Sequence, residues 1–145
     1  LEKLRQKPEV TPWFFTKNPA RYREFLDKMP ENAVLGVTIE TNREYDVYRS
    51  TTRPPRPFAR YYYFTTVPWE RKAVAVEPVM DFDVSSLALW IKMIRPMVVF
   101  IGYDNYPKAH PPLPEPETSK VYELVERIKP YTTVVLKTIR PPVKG

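Results

Sequence analysis

The chain has 145 residues, 23 basic against 17 acidic side chains, a formal net charge of +6 and no cysteine. That length suits one domain with a substantial core, since chains of about this size bury roughly two-thirds of their unfolded surface. The lack of cysteine excludes a disulfide framework, a thiolate zinc site, a cysteine nucleophile and a Cys-ligated iron–sulfur cluster built from the chain's own side chains.

Residues 1–10 alternate charge and proline with little apolar material and are expected to be a flexible lead-in to a single domain over 11–145. Trp13-Phe14-Phe15-Thr16 predicts a short strand. Asn18-Pro19 then supplies a helix cap and a first-turn proline. Tyr22, Phe25, Leu26 and Met29 share one helical face, and Pro30 stops the helix. Residues 33–39 form a continuous apolar run, the pattern of a strand covered on both faces in a parallel sheet, ending at Glu40. Pro54, Pro55 and Pro57 break the backbone, and residues 58–64 carry a weaker pattern that favours a helix over a strand.

The strand–helix rhythm returns with a strand over 73–76, ending in Glu77-Pro78. Asp83 caps a helix whose apolar face is Val84, Leu87, Ala88, Ile91 and Ile94. A strand over 97–101 follows, running into Gly102-Tyr103-Asp104-Asn105, then a proline-rich loop over 107–116. Val121, Leu124, Val125 and Ile128 mark a further helix, with Glu123 and Arg127 paired at i+4, and residues 132–136 make a last strand. This alternation predicts the α/β class: right-handed crossovers around a mainly parallel five-stranded sheet, in the form of a partial (βα) barrel.

In such sheets ligands meet the carboxyl ends of the strands, where loops diverge and helix N-termini point inward. The polar residues falling there are Lys17, Thr38, Glu40, Glu77, Asp104 and Asn105, with Lys137 and Arg140 after the last strand. As a set they suit a small, polar, charged ligand; Glu40 or Glu77 beside Lys17 is also the pairing a general base would need. Asp81 and Asp83 fit better as stabilisers of a helix N-terminus. His110, the sole histidine, has no metal-ligand partner at a usual spacing, so no metal site is expected. The segment from Arg43 to Lys72 holds seven basic and three acidic residues. Within it Arg53, Arg56 and Arg60 with Tyr61, Tyr62 and Tyr63 form the alternative, a nucleic-acid-binding surface in which arginines neutralise phosphates and tyrosines stack on bases.

Four stretches, FFTKNPARY at 14–22, LGVTIET at 35–41, VAVEPVMDFD at 74–83 and VVFIGYDNY at 98–106, resemble the radical S-adenosylmethionine enzymes, in particular a prokaryotic group similar to spore photoproduct lyase. The resemblance implies a partial barrel whose rim residues Lys17, Thr38, Glu40, Glu77, Asp104 and Asn105 face cofactor and substrate. The family's CxxxCxxC motif has no counterpart here, so S-adenosylmethionine and a 4Fe–4S cluster are expected only if an upstream segment supplies the cysteines. The expectation is a cluster-less half barrel, a fragment or a reduced relative, that binds a ligand or partner without radical activity of its own. A homodimer or partner chain on the exposed sheet edge is expected. With 18 Pro, 3 Gly and one Gln the composition resembles that of a thermophile protein, and the lack of a spanning apolar run or a leader points to a cytoplasmic chain without membrane contact.

Overall fold

A computed structural model of the chain describes residues 1–46 and 54–144. Its strands are β1 (Trp13–Thr16), β2 (Val34–Thr38), β3 (Lys72–Val76), β4 (Val98–Ile101) and β5 (Thr133–Leu136). They form one sheet in the order β1-β2-β3-β4-β5 with every neighbouring pair parallel. A one-turn helix α1 (Glu2–Arg5) precedes the sheet, and α2 (Pro57–Thr65), α3 (Val84–Ile94) and α4 (Thr118–Ile128) connect the later strands. Strand order that follows chain order means that each crossover returns to the next position with the same hand, which puts every crossover helix on one face. The result is a partial (βα) barrel.

Side-chain alternation sorts the two faces. Leu35, Val37, Val74, Val76, Val99 and Ile101 point to the helices and share one core with Tyr22, Phe64, Leu87, Ile91, Leu124 and Ile128. Each such side chain contributes about 1.5–3 kcal/mol by leaving water. The opposite face has a smaller cluster, Val34, Ala73 and Val98 with Phe100 against it, and among the described residues no helix joins that cluster.

Small residues on this second face allow rings from distant strands to meet. Phe15 of β1 and Phe100 of β4 lie 6.1 Å apart between centroids, as do Trp13 and Phe100. β1 and β4 are three strand spacings apart, about 14 Å along a flat sheet. The rings touch because Gly36, Ala73 and Ala75 between them carry little or no side chain and the sheet curves toward this side. At Gly36 an added Cβ would fall 2.4–2.8 Å from three atoms of the Phe15 ring.

The connection after β1 differs from the expected α-helix. It consists of two 3-10 segments, Pro19–Glu24 and Leu26–Lys28, separated by Phe25 at φ −127°, outside helical values. The apolar face is nevertheless kept: Tyr22 and Met29 are buried, and the Tyr22 hydroxyl lies 2.7 Å from Phe14 O and 2.6 Å from Gly36 O. Burial raises the Tyr22 pKa above the usual phenol value. Asn18 occupies the N-cap position without a side-chain cap bond. The lead-in contains α1, and Asn32 Nδ2 donates to Val10 O at 2.8 Å, which ties residue 10 to the turn before β2. The segment after Pro57 is helical, as its weaker pattern predicts.

Lys72 opens β3 on the helix side and is buried, with Nζ donating to Phe64 O at 2.8 Å and lying 5.0 Å from that ring's centroid. It thereby satisfies a carbonyl near the C-terminal end of α2. Desolvation pushes its pKa down to about 8. Among the described residues no helix is long and apolar enough to cross a membrane.

Candidate functional site

Among the described residues the carboxyl ends of the strands carry several charged clusters. In the first, Glu40 lies two residues beyond β2 and is only 3% exposed. Its Oε1 is 2.7 Å from Lys17 Nζ and its Oε2 is 2.7 Å from Arg60 Nη1. Arg60 reaches it from α2, where Pro57, Arg60 and Phe64 form the inward face. The guanidinium also donates to Thr38 O at 3.1 Å and Pro55 O at 2.7 Å. A buried carboxylate is thus held by one inward cation and one half-exposed cation, and the backbone after β2 is fixed at the same point.

The second cluster lines a cleft. Thr38, Ala75, Glu77 and Lys137 surround a space of about 330 Å³ whose floor is made by the rings of Phe15 and Phe100. Glu77, just past β3, faces Lys137, just past β5, at 3.3 Å. The pair spans the end of β4 because Gly102 stands between: an added Cβ there would lie 3.2 Å from Lys137 Cβ and 3.3 Å from the Glu77 carboxyl carbon. The cleft therefore offers a negative group, a positive group, a hydroxyl and an aromatic floor, which suits a small ligand with opposite charges and a planar or cationic portion.

Of the six rim residues read from the sequence, Lys17, Thr38 and Glu40 come together, and Thr38 and Glu77 line the cleft. Asp104 and Asn105 belong to neither group. Asp104 Oδ1 accepts from Tyr106 N at 2.9 Å and its Oδ2 is 2.6 Å from His110 Nε2, while Asn105 is exposed and takes the Thr138 hydroxyl. His110 Nδ1 lies 2.8 Å from Pro111 O, so both ring nitrogens face acceptors. The Pro111 carbonyl first, then Asp104, raises its pKa. The proline-rich loop is fixed further by Arg140, whose Nη2 and Nη1 bond Glu115 at 2.6 and 2.8 Å. Burial opposes ionisation of Glu115, but Arg140 and the Val143 amide outweigh it and hold the carboxyl below its usual range.

Asp83 also differs from expectation. It stands at the N-cap of α3 without a side-chain cap bond, and its carboxylate instead accepts from Arg43 at 2.8 Å and Asn42 at 3.1 Å. Arg43 pairs with Asp81 as well, and Lys120 Nζ reaches Asp81 from α4 at 2.6 Å. These bonds join the loops after β2 and β3 to the start of α4. Burial alone would raise the Asp81 pKa, but Lys120 and Arg43 lower it overall.

For the alternative surface, Arg53 lies outside the described residues. Arg60 is 1% exposed and turned inward, because it shares the helical face of Pro57 and Phe64 and meets Glu40 there. Arg56 is at the surface, paired with Glu44 at 3.3 Å. Tyr62 and Tyr63 are exposed, whereas Tyr61 stacks on Trp90 with centroids 4.8 Å apart and planes 3° from parallel.

The floor residues Phe15, Ala75 and Phe100 escape a reading of polar strand ends; their signal is the alternation of large and small residues on one face. As to an implied cluster, the sequence holds no cysteine, and among the described residues no group of three or more His, Asp or Glu side chains is placed to hold a metal ion. The residues present do not fit a 4Fe–4S centre. No known protein family, no curated protein and no solved structure matches this chain.

Proposed function

We propose that this chain is a ligand-binding half barrel similar to those of the radical S-adenosylmethionine enzymes, without radical activity of its own. The observation that carries the reading is the cleft at the strand ends, with Glu77 and Lys137 facing each other above the Phe15 and Phe100 rings. A zwitterionic ligand replaces that ion pair with two pairs of its own, its ammonium toward Glu77 and its carboxylate toward Lys137. A cationic or planar remainder rests on the rings. The Lys17–Glu40–Arg60 cluster holds the neighbouring strand end in place rather than meeting the ligand. Without thiolates the chain has no means of binding the cluster that would deliver an electron to S-adenosylmethionine.

The nucleic-acid reading retains Arg56, Tyr62 and Tyr63 among the described residues but loses Arg60 to Glu40, so it has less support.

The test is a titration of the isotopically labelled chain with S-adenosylmethionine and S-adenosylhomocysteine, followed by amide NMR. Shifts at Thr38, Ala75, Gly102 and Lys137, lost in Glu77→Gln and Lys137→Met, are expected, with no cleavage of S-adenosylmethionine under reducing conditions. Unchanged spectra at millimolar ligand, or cleavage by the chain alone, overturn the reading.

A further inference from the structure

The outer surfaces of α2 and α3 differ from that of α4. The outward side of α4 carries Glu123, Glu126 and Arg127, the mixed charges usual for a helix facing water. α2 has a single charged residue, Arg60, which is buried; α3 has a single one, Lys92, which lies over the Tyr131 ring at 4.7 Å. Between them runs a stripe with no charge. Phe58 and Tyr62 are stacked one turn apart on α2, Tyr61 and Trp90 bridge the two helices, and Leu89 and Met93 continue along α3. Phe58, Tyr62, Leu89 and Met93 are 57, 55, 56 and 56% exposed.

We infer that this stripe is the contact face of a homodimer, in which α2 and α3 of one copy pack on the same helices of a second. Three observations favour a second copy. The patch carries no charge, so it selects neither an acidic nor a basic partner, and an uncharged, largely apolar surface can meet itself across a twofold axis. Phosphate-bearing partners find no cation on it. Its size also suffices: large side chains carry about 150–250 Å² each, so four half-exposed ones with the edges of Tyr61 and Trp90 offer about 500 Å² per copy. Two copies then bury about 1,000 Å², the least expected of a biological interface and the size of a weak, reversible contact. This surface lies on the helix side, away from the sheet edges and the cleft, and does not depend on the proposed ligand.

Sedimentation equilibrium of the full chain from about 1 to 200 µM tests the inference. A monomer–dimer equilibrium is expected, with Leu89→Glu and Met93→Lys each weakening it by about tenfold or more, because each buries a charge at the twofold contact. Glu123→Lys on α4 should leave it unchanged. Thermal unfolding of the same variants shows that they still fold, since both positions face outward. The chain has no cysteine, so Leu89→Cys provides a second readout: oxidation should yield a covalent dimer, whereas Glu123→Cys should not. A chain that stays monomeric throughout this range overturns the inference. So does a dimer that persists in the Leu89→Glu, Met93→Glu double variant, whose like charges repel across the twofold contact, as it would if the sheet edge were the contact.

Discussion

Removing Arg60 tests whether the rim is held by a buried charge pair. Arg60→Met leaves Glu40, 3% exposed, with Lys17 as the remaining cation of the cluster described, and Lys17 is half exposed. Breaking a buried pair from one side costs up to about 3–5 kcal/mol, because the remaining carboxylate keeps its desolvation penalty while losing its inward cation. Lys17→Ala removes only the solvent-screened partner and should cost less than about 1 kcal/mol. For a chain of this size, each kcal/mol moves the melting temperature by about 2–4 °C, so Arg60→Met should melt about 10 °C lower and Lys17→Ala almost unchanged. Urea unfolding followed by tryptophan fluorescence gives both values. A cycle with Glu40→Gln and the double variant isolates the coupling, expected to be well above about 1 kcal/mol. Equal losses for Arg60→Met and Lys17→Ala, or a cost for Arg60→Met below about 1 kcal/mol, would refute the idea that the inward arginine holds this strand end.

Lys72→Met should stabilise the fold at neutral pH. Its folded pKa of about 8 lies below the ordinary lysine value, so the folded state carries the full penalty of a desolvated ammonium at pH 7. The penalty fades as pH rises from about 8 to about 10.4, where the unfolded chain binds the extra proton; that gap is worth about 3 kcal/mol, offset by about 1 kcal/mol for the lost bond to Phe64 O. A gain of about 2 kcal/mol at pH 7 that disappears above about pH 10, read by urea unfolding at both values, is the expected result. Gly36→Ala places a methyl group within the Phe15 ring and should cost about 1–3 kcal/mol. It should also abolish the NMR response to ligand, because Phe15 forms half of the cleft floor; a Gly36→Ala variant that unfolds and binds like the parent contradicts the ring-over-glycine arrangement.

Most of the architecture was legible because each strand is a short apolar run and α3 and α4 each show a clear apolar face. Leu87, Ile91 and Ile94, and Val121, Leu124 and Ile128, are the residues their spacing predicts to be buried. The connection after Asn18 was not legible. Tyr22 and Met29 are buried in and beside two 3-10 segments as they would be in one α-helix, so the apolar spacing alone does not separate the two. Asn18 and Asp83 read as capping side chains because their positions are right; the structure gives the Asp83 carboxylate to Arg43, a partner 40 residues distant that local spacing does not reveal. Arg60 illustrates the opposite case. Its place at i+3 from Pro57 and four residues before Phe64 was a visible sign that it faces inward, but the composition of the basic segment drew it toward the surface. Asp104 and Asn105 follow a strand as expected, yet a two-residue extension beyond β4 turns Asp104 toward His110 in the proline-rich loop and Asn105 toward Thr138.

The rings on the concave face also decide where a ligand can enter. In register, Phe15 stands beside Gly36, which pairs with Ala73, while one row higher Thr38 pairs with Ala75 and Ala75 with Phe100. The lower row is filled by the chain's own aromatics, because Phe15 covers Gly36 and, with Trp13, meets Phe100. The Thr38–Ala75 part of the upper row stays open beside the Phe100 ring, and it opens toward Glu77 and Lys137 at the strand ends. A ligand must therefore approach from the rim and rest its apolar part on Phe15 and Phe100. A larger side chain at Ala75 would close the site from below without touching either charge. Small residues in the middle strands thus do two jobs at once: they let the aromatic rings close over the sheet, and they leave one shallow space above those rings.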